Sequence, residues 1–93
     1  MDVQVGQLAT SIAGRDAGQQ FLVIGFTENR VLVTDGETRR VECPKRKNPK
    51  HLCPQDMWAE DIRAKLLGSV SVSNADIREA LEKLQDDVRG VDR

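Results

Sequence analysis

The densest chemistry in this 93-residue chain lies in Arg39-Arg40-Val41-Glu42-Cys43-Pro44-Lys45-Arg46-Lys47-Asn48-Pro49-Lys50-His51. Six Lys or Arg stand there against one Glu, a local balance of +5. Arg offers a planar fork to phosphate oxygens, and Lys a compact charge on a flexible stem. Pro44 and Pro49 restrict the backbone around Lys45, Arg46 and Lys47, so those cations should be displayed with little freedom. Asn48 can add a directional hydrogen bond to phosphate, sugar or base. The pattern points to nucleic-acid contact; the bland alternative is a solvated charged loop.

A second candidate is the loop Ala13-Gly14-Arg15-Asp16-Ala17-Gly18. Either glycine can take a positive φ, and Gly18 would let a polyanion backbone approach closely. Arg15 is either a ligand contact or an ordinary turn residue. Asp16 either makes an internal turn bond or neutralises Arg15. The loop is not a phosphate-binding P-loop, because the Gly-Lys-Ser/Thr ending is missing.

Other constellations are thin. Cys43, His51 and Cys53 supply three donors for zinc, but without a paired Cys-x-x-Cys they read as ordinary thiols and an imidazole. No catalytic set is expected: His51 and Cys53 are too close in sequence to presume a nucleophile–base pair, and Ser69, Ser71 and Ser73 lack an elbow context. Asp86-Asp87 reads as the wet side of a helix. No cofactor is implied. Phe21 is expected in the core, Phe26 at a rim, and Trp58 as the anchor of a C-terminal helical segment. So few aromatics favour structured RNA, read through backbone and shape, over single-strand stacking.

The elements that must position these groups fall into two halves. Alternating or short apolar runs around Val5, Leu8 and Ile12, over 21–26 and over 31–34 predict three strands. Arg40-Val41-Glu42 and His51-Leu52 are candidate fourth and fifth strands. Asp35-Gly36 predicts a hairpin between 31–34 and 38–42. Short strands and tight turns suggest a small antiparallel barrel over 1–53, with His51 on its edge or facing RNA. Over 54–93 the period becomes helical. A first helix is expected over 55–67, with Pro54 and Asp56 near its start. A second is expected over 74–89, capped by Ser73-Asn74-Ala75-Asp76, with Ile77, Ala80, Leu81, Leu84 and Val88 on one face and Gly90 at its end. Those faces must pack on each other, on the barrel or on a partner.

The net charge of −1 hides a +2 balance over 1–51 and −3 over 52–93. No stretch approaches the roughly 18–20 apolar residues of a membrane span, so no membrane role is expected. Nor does the N-terminus read as a secretory signal, which with two cysteines predicts a reducing, cytoplasmic setting.

Three blocks together resemble a KOW motif: Val5-Gly6-Gln7-Leu8, Ala13-Gly14-Arg15-Asp16-Ala17-Gly18-Gln19 and Phe21-Leu22-Val23-Ile24-Gly25. The continuation over 31–36, 39–42 and 44–52, with the later 72–81 block, resembles the short bacterial KOW-domain RNA-binding proteins. These are akin to one group of KOW-bearing large-subunit ribosomal proteins of archaea and eukaryotes. The resemblance implies an SH3-like barrel followed by an α-helical tail, binding RNA, with ribosomal RNA the expected partner, without catalysis. It implies contacts from Arg15, Gly18, Arg39, Arg40, Lys45, Arg46, Lys47 and Lys50, and a ribosomal-protein contact through the tail. Ala17 stands where a basic residue is common, leaving Arg15 as that loop's only cation. The alternative class is a protein-interaction adaptor using the barrel and the Ile77/Leu81/Leu84 face.

Overall fold

The computed structural model describes residues 3–90. Five strands form one antiparallel sheet: β1 (Gln7–Ser11), β2 (Gln20–Phe26), β3 (Val31–Thr34), β4 (Lys45–Lys47) and β5 (Leu52–Trp58). Their order is β4-β3-β2-β1-β5. The chain meanders through four strands, and the fifth returns to pair with the first. Two helices follow, α1 (Glu60–Leu67) and α2 (Asn74–Gly90).

Strand alternation sorts the apolar residues onto two faces. Leu8 opposes Leu22, while Ala9 opposes Phe21 and Val23 opposes Val33. Ala9, Phe21, Val23, Val31, Val33 and Leu52 fill one side of the sheet together with Val3. Leu8 and Leu22 point to the other side, where Ala59, Ile62, Ile77, Leu81 and Leu84 cover them. The central strands are therefore buried on both faces, which explains why 21–24 is a continuous apolar run. Val88, expected on the same helix face, lies outside the residues whose side chains are described.

The sheet curls. Only residues 48–51 separate the end of β4 from the start of β5, although these are opposite edges. In a flat sheet the edges would stand four spacings apart, roughly 19 Å at about 4.8 Å each. A five-step connection that includes a 3-10 turn at Pro49–His51, rising about 2 Å per residue there, spans less. Register shifts between Gln7 and Ala9, and between Val23 and Gly25, supply bulges that let the strands bend. β4 and β5 do not pair, so the ladder stays open.

Two expectations are corrected. The fourth strand is Lys45–Lys47, not Arg40-Val41-Glu42. Asp35-Gly36 does turn the chain after β3, but the return strand begins only at Lys45, past a looped ten-residue 35–44 connection. There Asp35 Oδ1 accepts from the Glu37 and Arg39 amides, at 2.9 and 2.8 Å. Second, the helix expected over 55–67 starts at Glu60, because 55–58 belongs to β5. Pro54 opposes Ala9 in that strand, on an edge where its missing N–H is tolerated. The strand thus continues through the 53/54 position.

α2 opens with a reciprocal cap. Ser73 Oγ accepts from the Asp76 amide and Asp76 Oδ2 accepts from the Ser73 amide, both at 3.1 Å. The Ser73 amide and the Lys65 ammonium, 3.2 Å away on α1, hold the Asp76 carboxyl below its ordinary pKa. The helix start also docks on the 35–44 connection. Asn74 accepts from the Val41 amide and donates to Glu42, and Arg78 donates to the Gly36 carbonyl at 2.8 Å. Gly36 has φ +77°, and a Cβ there would lie 2.5 Å from the Asn74 carbonyl oxygen, so no side chain fits.

Ile77 is fully buried between sheet and helices, whereas Ile12 is 57% exposed. Ile77→Ala should therefore cost about 2–5 kcal/mol in urea unfolding, in a single transition that loses sheet and helix together. Ile12→Ala should stay within about 0.5 kcal/mol. A sheet signal untouched by Ile77→Ala would mean that α2 is an independent appendage.

Candidate nucleic-acid interface

The β1–β2 loop is built around Asp16. The Ser11 amide donates to the Gln19 carbonyl and the Gly18 amide donates to the Ser11 carbonyl, closing the loop base at 2.9 and 2.7 Å. Gly14 and Gly18 both take positive φ, +87° and +92°. That geometry turns Asp16 inward. Its Oδ1 accepts from Ser11 Oγ at 2.7 Å and from Lys47 Nζ at 2.7 Å. Lys45 Nζ lies 3.1 Å from Oδ2 as an ion-pair contact, off the line of a good hydrogen bond. Lys47 Nζ also donates to the Ala13 carbonyl at 3.0 Å.

This arrangement answers the open question about Asp16: its partners are Ser11, Lys45 and Lys47, not Arg15. Burial works against the Asp16 charge, yet the hydrogen bonds from Lys47 and Ser11 and the adjacent Lys45 ammonium outweigh it and hold the carboxyl far below the usual carboxylate range. Lys47 is only 5% exposed, and its ammonium is engaged inside the protein by Asp16 and the Ala13 carbonyl. Lys45 is half-buried and shares the same carboxylate.

The remaining candidates divide by location. Arg15 and Gly18 are exposed on the Asp16 loop. Arg46 is exposed on β4, opposite Leu32 and on the other face from Lys45 and Lys47. Lys50 and His51 are exposed in the 3-10 turn, which Asn48 caps by accepting from the Lys50 amide at 3.0 Å. The Lys47 bonds and a backbone bond from the Ile12 amide to the His51 carbonyl, 2.9 Å, bring this turn and the Asp16 loop together. Asp16 and Lys47, 31 positions apart in sequence, thus share one rim. Arg39 and Arg40 sit elsewhere, exposed on the 35–44 connection; Arg40 is 3.2 Å from Glu42. Among the described residues the side chains of Arg15, Arg39, Arg46 and Lys50 have no ion-pair partner.

The sequence missed Ser11 and Asp16 as organisers of the rim. The signal was an acidic residue inside a glycine-rich loop in a chain with a nearby Lys-x-Lys, which alternates onto one strand face. Ile77, Leu81 and Leu84, the expected adaptor face, are buried against the sheet. Phe21 is in the core and Phe26 is exposed at the rim of β2. Trp58 ends β5 half-buried, lining a groove between α1 and α2 with Ile62 and Leu84. Among the described residues, Cys43 and Cys53 are exposed free thiols, and no three His, Cys, Asp or Glu side chains gather as a metal site. No described helix is long and apolar enough to cross a membrane.

No protein-family model matches the chain, and no curated protein matches it.

Asp16→Asn should destabilise the protein by about 3–5 kcal/mol, because it leaves the Lys47 ammonium buried without its counter-charge. The depressed folded pKa fixes the sign with pH. The carboxylate's stabilisation is complete above its unfolded value of about 3.8 and is lost as pH falls through the folded value. Wild-type stability should therefore decline below about pH 4 with a component that Asp16→Asn lacks, seen by comparing urea midpoints across acid pH.

Proposed function

We propose that this chain is a non-catalytic RNA-binding protein of KOW type, acting on structured RNA that is ribosomal or ribosome-associated. The carrying observation is the division of labour among the cations. Lys45 and Lys47 immobilise the Asp16 loop, while Arg15 on that loop and Lys50 in the turn beside it stand exposed, with Arg46 exposed on the outer face of β4. A surface whose cations are held in register but left unpaired suits a run of phosphates. Gly18 has nothing within 4 Å of where a Cβ would lie, so the loop crest is open to close approach. Glu79, Glu82 and Asp61 put exposed acid on the helices, which favours binding through the rim alone.

The finer fold reading is an SH3-like barrel. Its supports are the meander order, the pairing of β5 with β1, the bulges and the short β4–β5 connection. Arg39 and Arg40 would extend the same field beyond the rim. Binding needs no covalent step: the cations neutralise phosphates, and the rigid loop sets orientation. A cytoplasmic setting follows from this reading.

The test is cross-linking and sequencing of RNA bound in native cells, with Arg15→Gln/Arg46→Gln/Lys50→Gln as the comparison. The wild type should enrich a discrete ribosomal RNA site and the triple variant should lose it while melting like the wild type. In vitro, affinity should fall with salt, and the log–log slope should shrink by roughly 0.7–0.9 for each phosphate contact removed. Recovery of a protein partner with little RNA in either sample would replace the reading with the adaptor.

A further inference from the structure

Ile12 is the most exposed large apolar side chain of the sheet and its loops, at 57%. A single exposed aliphatic residue needs no explanation by itself. Its neighbours give it one. Ser11 opposes Leu52 at the end of the β1–β5 ladder, and just past it the Ile12 amide donates to the His51 carbonyl at 2.9 Å. That bond ties the end of β1 to the 3-10 turn. Ile12 and His51, both exposed, are therefore adjacent at the sheet rim. Lys50 precedes His51, and Arg15 follows Ile12 by three residues, both cations exposed and without ion-pair partners among the described residues.

This is a small apolar and imidazole surface inside a positive rim. The partner that fits it carries negative charge and a flat apolar face in the same short unit. A nucleotide does so, provided its base is not stacked and paired inside a helix. The surface is also preorganised: the backbone bond to His51 fixes Ile12 on one side, and the Asp16–Lys47–Ala13 contacts hold the loop immediately after it.

Resting on the RNA-binding reading above, we propose that Ile12 and His51 form a platform for one unpaired nucleobase, with Arg15 and Lys50 taking the phosphates that flank it. The RNA is then a helix carrying a bulged or looped-out nucleotide. The cations supply affinity for the backbone, and the platform supplies the preference for the interruption.

Fluorescence anisotropy with two labelled RNA hairpins tests this, one fully paired and one carrying a bulge in the same stem. Wild-type protein should bind the bulged hairpin about fivefold or more tightly than the paired one. Ile12→Ser should abolish that preference and leave affinity for the paired hairpin within about twofold. Ile12→Lys should tighten binding to both RNAs and still show no preference, separating the platform from charge. Circular dichroism melting checks that both variants fold. Equal wild-type binding to the two hairpins, or a preference that survives Ile12→Ser, overturns the platform and leaves RNA binding intact. Failure of the wild type to bind either hairpin at low salt overturns RNA binding itself and the platform with it.

Discussion

Asp16 and Lys47 meet at 2.7 Å across the mouth of a curled sheet, and the rim takes its shape from that pair. The two residues come from opposite parts of the meander, one from the β1–β2 loop and the other from the edge strand β4. Bringing them together requires the sheet to bend until its edges approach. The short β4–β5 connection imposes the same bend from the other side. An isolated charge at this depth would be strongly disfavoured, but Ser11, Ala13 and Lys45 complete the set of partners. The result is a glycine-containing loop with a fixed inner face and an unencumbered outer one.

The helices reinforce that frame from behind. Ile77, Leu81 and Leu84 bury the second face of β1 and β2, so the strands are held between two apolar layers. The start of α2 pins the 35–44 connection through Asn74, Arg78 and the close approach at Gly36. A long connection that would otherwise be free to move is thereby tied to the core. Positive charge is left on the loop-and-turn rim and acid on the outer helix surfaces. An overall charge near neutrality thus conceals a polar molecule.

What could be read from the sequence follows from which signals are local. β2 and β3 announce themselves through β-branched and aromatic runs, β1 through the apolar spacing around Leu8, and the Ser73–Asp76 cap through its spacing. β4 does not, because Lys45-Arg46-Lys47 has no apolar residue and is defined only by its pairing with β3. Of β5 only Leu52 was marked, His51 falling in the 3-10 turn; the rest was hidden by Pro54 and Asp56, which resemble a helix start and are tolerated because the strand is an edge. The cationic stretch was legible as a feature, but its internal division was not. Lys45 and Lys47 alternate onto one strand face and Arg46 onto the other. Only the long-range partner Asp16 makes that alternation decide which charges face solvent. Density of Lys and Arg therefore overstated the number of free cations.

The most direct test of this division is lysine acylation read by mass spectrometry, with and without bound RNA. Lys47 should be nearly unreactive in both states, and Lys45 slowed in both. Lys50 should react readily in the free protein and be protected by RNA. A Lys47 that reacts as fast as Lys50 in the free protein and is protected by RNA would contradict the account, because the Asp16 pair would then not hold the loop.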